Sequence, residues 1–254
     1  MSDHLHFELD GDERLPALLL LHGFMSSNLQ WAPNRDALSE HFRLISVELW
    51  GHGRSPAPRD EEAYRVARYV AELERIREAL GIGRWLVCGQ SFGAGLAMRY
   101  ALARPEVVRG LVVTNSRSAL NDVSREARAS GGVAAWQALD LRRLPLHPCH
   151  ARRFPADLKA QMADAADTVD RHALWQAAST TAAELSCRAV ANELSVPTLL
   201  VNGRFEKSFQ ADREFAAETI SGIEIVDLDA GHSVNIEASQ DFDRALIEFA
   251  KRHP

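Results

Sequence analysis

Gly89-Gln90-Ser91-Phe92-Gly93 reads G-x-S-x-G, with the short apolar run Trp85-Leu86-Val87-Cys88 before it and a helix-compatible run after it. A chain that must turn from strand to helix within a few residues needs small neighbours. Gly89, Gly93, Ala94 and Gly95 supply them and leave the Ser91 hydroxyl at the tip of a sharp turn. On its own the pattern also fits a packing turn with an incidental serine. A serine hydroxyl is a weak nucleophile at neutral pH and needs a base to take its proton as it attacks a carbonyl. His232 is the candidate base, because it directly follows the strand-like run 223–228 in Asp229-Ala230-Gly231-His232. His22 and His52 are rivals, but both stand in glycine turns far upstream, where bracing loop backbone is the expected role. The base in turn needs a carboxylate to fix its tautomer and stabilise the imidazolium. Glu206 leaves the buried-strand run 198–203 through Arg204 and Phe205, so it emerges at a sheet edge; otherwise it is a solvated charge paired with Arg204 or Lys207. Asp229 competes for the role, yet it lies in the same loop as His232 and is expected to face away.

Such side chains meet only if their turns share one edge of a sheet. Apolar runs alternate with amphipathic ones along most of the chain, a βαβα rhythm that predicts an α/β fold with a largely parallel sheet and helices on both faces. Candidate strands are 16–21, 43–48, 85–89, 107–115, 197–203 and 223–228, and residues 5–9 could add an antiparallel edge. Val66, Val70, Leu73, Ile76 and Leu80 share a helical face that Gly81 is placed to close in a left-handed cap. After the serine turn, Leu96, Tyr100 and Ala103 recur at helical spacing until Pro105. Phe242, Ala245, Leu246 and Phe249 mark a final helix, with Ser239 as its cap. From 117 to 190 the rhythm breaks into an alanine- and arginine-rich stretch punctuated by Pro145, Pro148 and Pro155. This predicts an inserted helical lid over a core domain built from 1–116 and 191–254.

Leu21-His22-Gly23-Phe24, Trp50-Gly51-His52-Gly53, Gln90-Ser91-Phe92-Gly93 and Ala230-Gly231-His232 together resemble the α/β-hydrolase superfamily, over nearly the whole chain outside the lid. The resemblance implies the α/β-hydrolase fold and the chain order serine, acid, histidine. It also implies an oxyanion hole made by the backbone N–H groups of Phe92 and Phe24, or of Met25 in place of Phe24 if that loop is shifted by one residue. The family's acid stands three residues after the glycine that ends its strand, as Glu206 follows Gly203; Asp is usual there and Glu an accepted variant. Residues 203–209 and 22–27 are similar to menaquinone-pathway synthases that eliminate pyruvate with a Ser-His-Asp triad. Those synthases carry Tyr before the nucleophile and Arg four residues after it, where this chain has Gln90 and Gly95. Arg117, Arg125, Arg128, Arg142 and Arg143 of the lid offer either another anion site or solvated helix faces.

With 254 residues and 46% hydrophobic content the chain suits one large globular domain. A formal net charge of −6 gives no basic field for phosphate backbones, so no nucleic-acid partner is expected. Cys88, Cys149 and Cys187 lack C-x-x-C spacing and no H-E-x-x-H occurs, so neither a disulfide framework nor a metal is indicated, and no cofactor is implied. The polar start Met1-Ser2-Asp3-His4 and the lack of any apolar run near the roughly 20 residues that cross a bilayer predict a cytoplasmic protein without membrane insertion. The oligomeric state is not legible. The expected function is hydrolysis of a small-molecule carboxylic ester or thioester by a Ser91-His232-Glu206 triad through an acyl-enzyme. The alternatives are a triad-based lyase or C–C hydrolase acting on a keto acid, and a non-catalytic small-molecule binder on the same fold.

Overall fold

The structure is a computed structural model that describes residues 3–121, 132–144 and 147–254; Arg125, Arg128 and Pro145 lie outside the described residues. Its strands are β1 (Phe7–Asp10), β2 (Ala17–Leu21), β3 (Arg43–Val47), β4 (Trp85–Gly89), β5 (Val108–Thr114), β6 (Thr198–Gly203) and β7 (Glu224–Leu228). They form one sheet in the order β1-β3-β2-β4-β5-β6-β7. Every pairing is parallel except that of β1, which runs antiparallel along β3 with Phe7 opposite Val47. The strands expected from 16 to 228 fall where they were read, shortened by a residue at some ends. Pro16 and Pro197 stand just outside β2 and β6, since proline has no N–H for a ladder, and each gives only its carbonyl, to Arg43 and Leu111. The antiparallel edge lies two residues later at its start than the 5–9 expected.

Both faces of the sheet are covered, and this is why its central strands read as unbroken apolar runs. Leu19 and Leu21 point into one layer, with Val87, Leu111 and the helices α2 (Val66–Ala79) and α3 (Phe92–Ala103). Leu18 and Leu20 point into the other, against Leu38 of α1 (Arg35–Ser39) and Phe242, Leu246 and Phe249 of α11 (Ser239–Arg252). Gly81 closes α2 with φ 67° as expected, whereas Ser239 is the first residue of α11 rather than its cap, and makes no capping bond. Helix α3 is buried along most of its length, Ala103 excepted, so it is a central support rather than an amphipathic cover.

Between β5 and β6 the described residues hold α4 (Arg117–Leu120), α5 (Gly132–Gln137), α6 (Ala156–Ala165), α7 (Arg171–Gln176) and α8 (Ala182–Glu184), joined by short turns and without a strand. Among the described residues this stretch takes part in two apolar clusters beyond the main core. Leu141, Ala166, Val169 and Leu174 pack on Met25, and Phe154, Leu158 and Met162 pack on Ile236 of α10 (Val234–Glu237), which follows β7. Helix α9 (Gln210–Thr219) connects β6 to β7.

Candidate active site

Strand β4 ends at Gly89 and α3 starts at Phe92, so the backbone reverses within Gln90 and Ser91. Ser91 adopts φ 52° and ψ −112°, a conformation that costs free energy for a residue with a Cβ and persists only where the surroundings enforce it. The enforcement is visible at Gly89 and Gly93: a Cβ on the first would overlap the Gly93 carbonyl, and one on the second the carbonyls of Leu21 and His22. Gln90 N–H donates to the Leu21 carbonyl (3.0 Å), and the Ser116 hydroxyl donates to the Ser91 carbonyl (2.7 Å). The turn is thus tied to the ends of β2 and β5. Sheet order reverses at β2, whose neighbours β3 and β4 follow it in sequence on opposite sides, and the carboxyl ends of strands at such a switch form the ligand crevice of open α/β sheets.

His232 is carried by the loop after β7 and Glu206 by the loop after β6. Glu206 Oε2 lies 2.9 Å from His232 Nδ1, and His232 Nε2 lies 2.9 Å from Ser91 Oγ. An ionised carboxylate can only accept, so in the neutral imidazole the ring proton sits on Nδ1 and Nε2 is left to accept from the serine hydroxyl. Asn115, at the end of β5, donates to the same Glu206 Oε2 (2.8 Å) while its amide holds both the N–H and the carbonyl of Gly203. Burial pushes the Glu206 carboxyl up, but the hydrogen bond and charge of His232, the Asn115 amide and the Arg117 guanidinium outweigh it and hold it below the usual carboxylate range.

The rivals stand elsewhere. Asp229 is exposed and pairs with Arg204 (2.9 Å), which also removes Arg204 as a partner for Glu206. His22 is buried, donates through Nδ1 to the Gly23 carbonyl (2.8 Å) and accepts the Leu49 N–H on Nε2 (3.0 Å). Burial, then the neighbouring His52, push it down to about 3, and burial pushes His52 down to about 4. Both rings are neutral braces of loop backbone.

Phe24 lies in the loop after β2, and Phe92 is the first residue of α3, where helical N–H groups lack intrahelical acceptors. Among the described residues the N–H groups of Phe24, Met25 and Phe92 have no hydrogen-bond acceptor. Met25 has φ 57°, a second left-handed residue beside the elbow. The two phenylalanine rings lie 5.7 Å apart. Phe24 lines a cavity of about 650 Å³ together with Met25, Ser91, His147, Phe154 and His232, whereas the Phe92 ring belongs to the core. Arg117, Arg152 and Arg153 also line it; Arg142 and Arg143 instead pair with Asp140 in the open, Arg142 with Asp167 as well. Asn115, Ser116, Arg152, Arg153 and Glu237 also reach the site, though none was expected there. For two of them the sequence carries a signal, a polar Asn115-Ser116 pair ending the apolar β5 run. Among the described residues no three or more His, Cys, Asp or Glu side chains group as metal ligands, and no helix is long and apolar enough to cross a membrane.

A serine on a strand-to-helix elbow, in line with an imidazole and a carboxylate at the carboxyl edge of a mostly parallel sheet, is the α/β-hydrolase arrangement. The family model for the alpha/beta hydrolase fold matches residues 16–239, and the chain belongs to that family. An uncharacterised protein of Mycobacterium tuberculosis is 33% identical over 131 residues, 52% of this chain and 38% of that protein, so the chain spans less than half the length of these first curated relatives. A putative 2-succinyl-6-hydroxy-2,4-cyclohexadiene-1-carboxylate synthase of Bacillus subtilis is 26% identical, with 98% of this chain and 96% of that protein aligned. Among solved structures, the enol-lactonase from Burkholderia xenovorans superimposes with a TM-score of 0.77 at 26% identity, covering 97% of this chain and 96% of its own.

Proposed function

We propose that the protein is a serine hydrolase that cleaves a carboxylic ester or thioester through an acyl-enzyme. The observation that carries this is the unbroken Ser91-His232-Glu206 hydrogen-bond chain, 2.9 Å at each link. His232 Nε2 takes the hydroxyl proton as Ser91 Oγ bonds to the acyl carbon, and Glu206 stabilises the resulting imidazolium. The Phe24 and Phe92 N–H groups hold the tetrahedral oxyanion, with Met25 N–H as the alternative to Phe24. His232 then returns its proton to the departing alcohol or thiol, and a water activated by the same nitrogen releases the acid. The stretch 117–190 serves as a lid closing the cavity over the core of 1–116 and 191–254, which supports a small-molecule substrate.

Labelling with a fluorophosphonate tests the covalent step. Wild type is expected to be modified at Ser91 and Ser91→Ala left untouched, with ester and thioester turnover in the variant falling by roughly 10⁴-fold or more. Folded protein that is never modified at Ser91 removes the mechanism. A second reading, lyase or C–C hydrolysis of a keto acid with the triad as a base, is favoured by the near full-length similarity to the putative synthase. Gln90 and Gly95 weigh against it, since they stand where such synthases carry Tyr and Arg. Product analysis on a panel of keto acids separates the two, and intact substrates throughout exclude the second.

A further inference from the structure

The loop that presents the base has little structure of its own. Residues 229–233 belong to no strand or helix, and the His232 side chain is 46% exposed. Beyond its hydrogen bonds to Glu206 and Ser91, a ring so placed depends on the backbone on either side of it. Those two peptide groups converge on one side chain: Glu237 Oε2 accepts the Gly231 N–H (2.8 Å) and Glu237 Oε1 the Ser233 N–H (3.4 Å). Glu237 closes α10, and that short helix is fixed from beneath. Buried Asn235 donates to the Gln30 carbonyl (2.7 Å) and to Asn34 Oδ1 (3.1 Å), and it accepts from Gln30 Nε2 (3.0 Å). A rigid element therefore reaches back around the histidine with a carboxylate only 9% exposed.

The same carboxylate is touched from above. Arg153, in the turn before α6, sits 3.5 Å from Glu237 Oε2, and its guanidinium lies 4.2 Å over the ring of Phe205, the residue before Glu206. Phe205 is one of two exposed large apolar side chains among the described residues, and this stacking gives it a partner. Phe154, Leu158 and Met162 seat the same segment on Ile236, beside Glu237.

We propose that Glu237 is a second positioning residue for His232, acting on its backbone where Glu206 acts on its ring, and that Arg153 acts on the histidine through Glu237, making the base's placement depend on the 148–165 segment being seated. The inference rests on the triad reading above and adds what keeps that triad aligned. A purely structural role, in which Glu237 only satisfies two N–H groups, would lower melting temperature without changing the reactivity of the folded protein.

The test is the rate of fluorophosphonate labelling of Ser91 in the full chain, beside its melting temperature. A base displaced by about 1 Å costs on the order of 10²-fold, so Glu237→Ala is expected to label at least tenfold more slowly while folded. Glu237→Gln, which keeps an acceptor for Gly231, is expected to return to within about threefold of wild type. Arg153→Ala is expected to slow labelling about threefold alone and not at all in a Glu237→Ala background. Should Glu237→Ala not fold, Glu237→Asp, too short to span both N–H groups, takes its place in both arms. Labelling of the alanine variant at the wild-type rate, no recovery in the glutamine variant, or an Arg153 effect that persists without Glu237 overturns the proposal and leaves the triad intact. Wild type that is never labelled overturns the triad, and the brace with it.

Discussion

Glu206 Oε2 accepts from two donors at once, the imidazole of His232 and the amide of Asn115, and the second fixes the direction from which the first arrives. Glu206→Gln keeps the size of the side chain but can offer an N–H where the imidazole needs an acceptor, favouring the wrong tautomer. It is expected to lower kcat by about 10³–10⁴-fold with KM little changed, measured on any ester that wild type turns over. Asn115→Ala leaves the carboxylate charged but unguided, and a kcat loss of about tenfold is expected; an unchanged kcat would show that Glu206 needs no such guide. Ser91 and His232 were legible as candidates because each announces itself locally, the first by its glycine frame and the second by the strand that ends just before it. Glu206 was legible less securely as the candidate acid, because Asp229 lies nearer to the histidine in sequence; in the structure Asp229 pairs with Arg204 and His232 with Glu206. Asn115 was not legible: the carboxylate it donates to is 91 positions distant, and an asparagine at a strand end has many commoner uses.

At the scale of elements, the strand-to-helix elbow joins fold and site. Gly93→Ala adds a methyl group where the carbonyls of Leu21 and His22 already stand, and backbone cannot yield as a flexible side chain can. A loss of about 3 kcal/mol in urea unfolding is expected, together with slower labelling of whatever remains folded. A variant as stable as wild type would show that β2 and α3 are free to part. The strands were read well because burial on both faces writes an uninterrupted apolar run, which needs no knowledge of its partners. The region 117–190 was read as a helical lid but not helix by helix: among the described residues its short helices seat on the core through clusters around Met25 and Ile236, which periodicity does not encode. Ser239 was misplaced by one residue because the turn Val234–Glu237 runs almost directly into α11, leaving Ala238 as the cap.

Across the whole molecule, stability should carry the signature of a carboxyl group far from the chemistry. Asp243, on α11 and 5% exposed, accepts the Asn34 amide at 2.8 Å. Burial pushes it up to about 7, with the Asn34 bond opposing only in part. A raised carboxyl keeps its proton in the folded state at pH values where the unfolded chain has released it. Its contribution is therefore fully present below the ordinary 3.8 and is lost as pH rises toward 7. Asp243→Asn, which retains an acceptor for Asn34, should gain on wild type by about 3 kcal/mol between pH 5 and pH 8 in urea unfolding. A gap that is the same at both pH values would mean that Asp243 is ionised throughout. The strand order has a further effect in time. Serine, carboxylate and imidazole hang from β4, β6 and β7, so a chain emerging from the ribosome exposes its hydroxyl long before the other two arrive. Until β7 adds to β6, Ser91 has no imidazole beside it, and its hydroxyl waits on the last strand for the hydrogen-bond partner that the folded chain supplies.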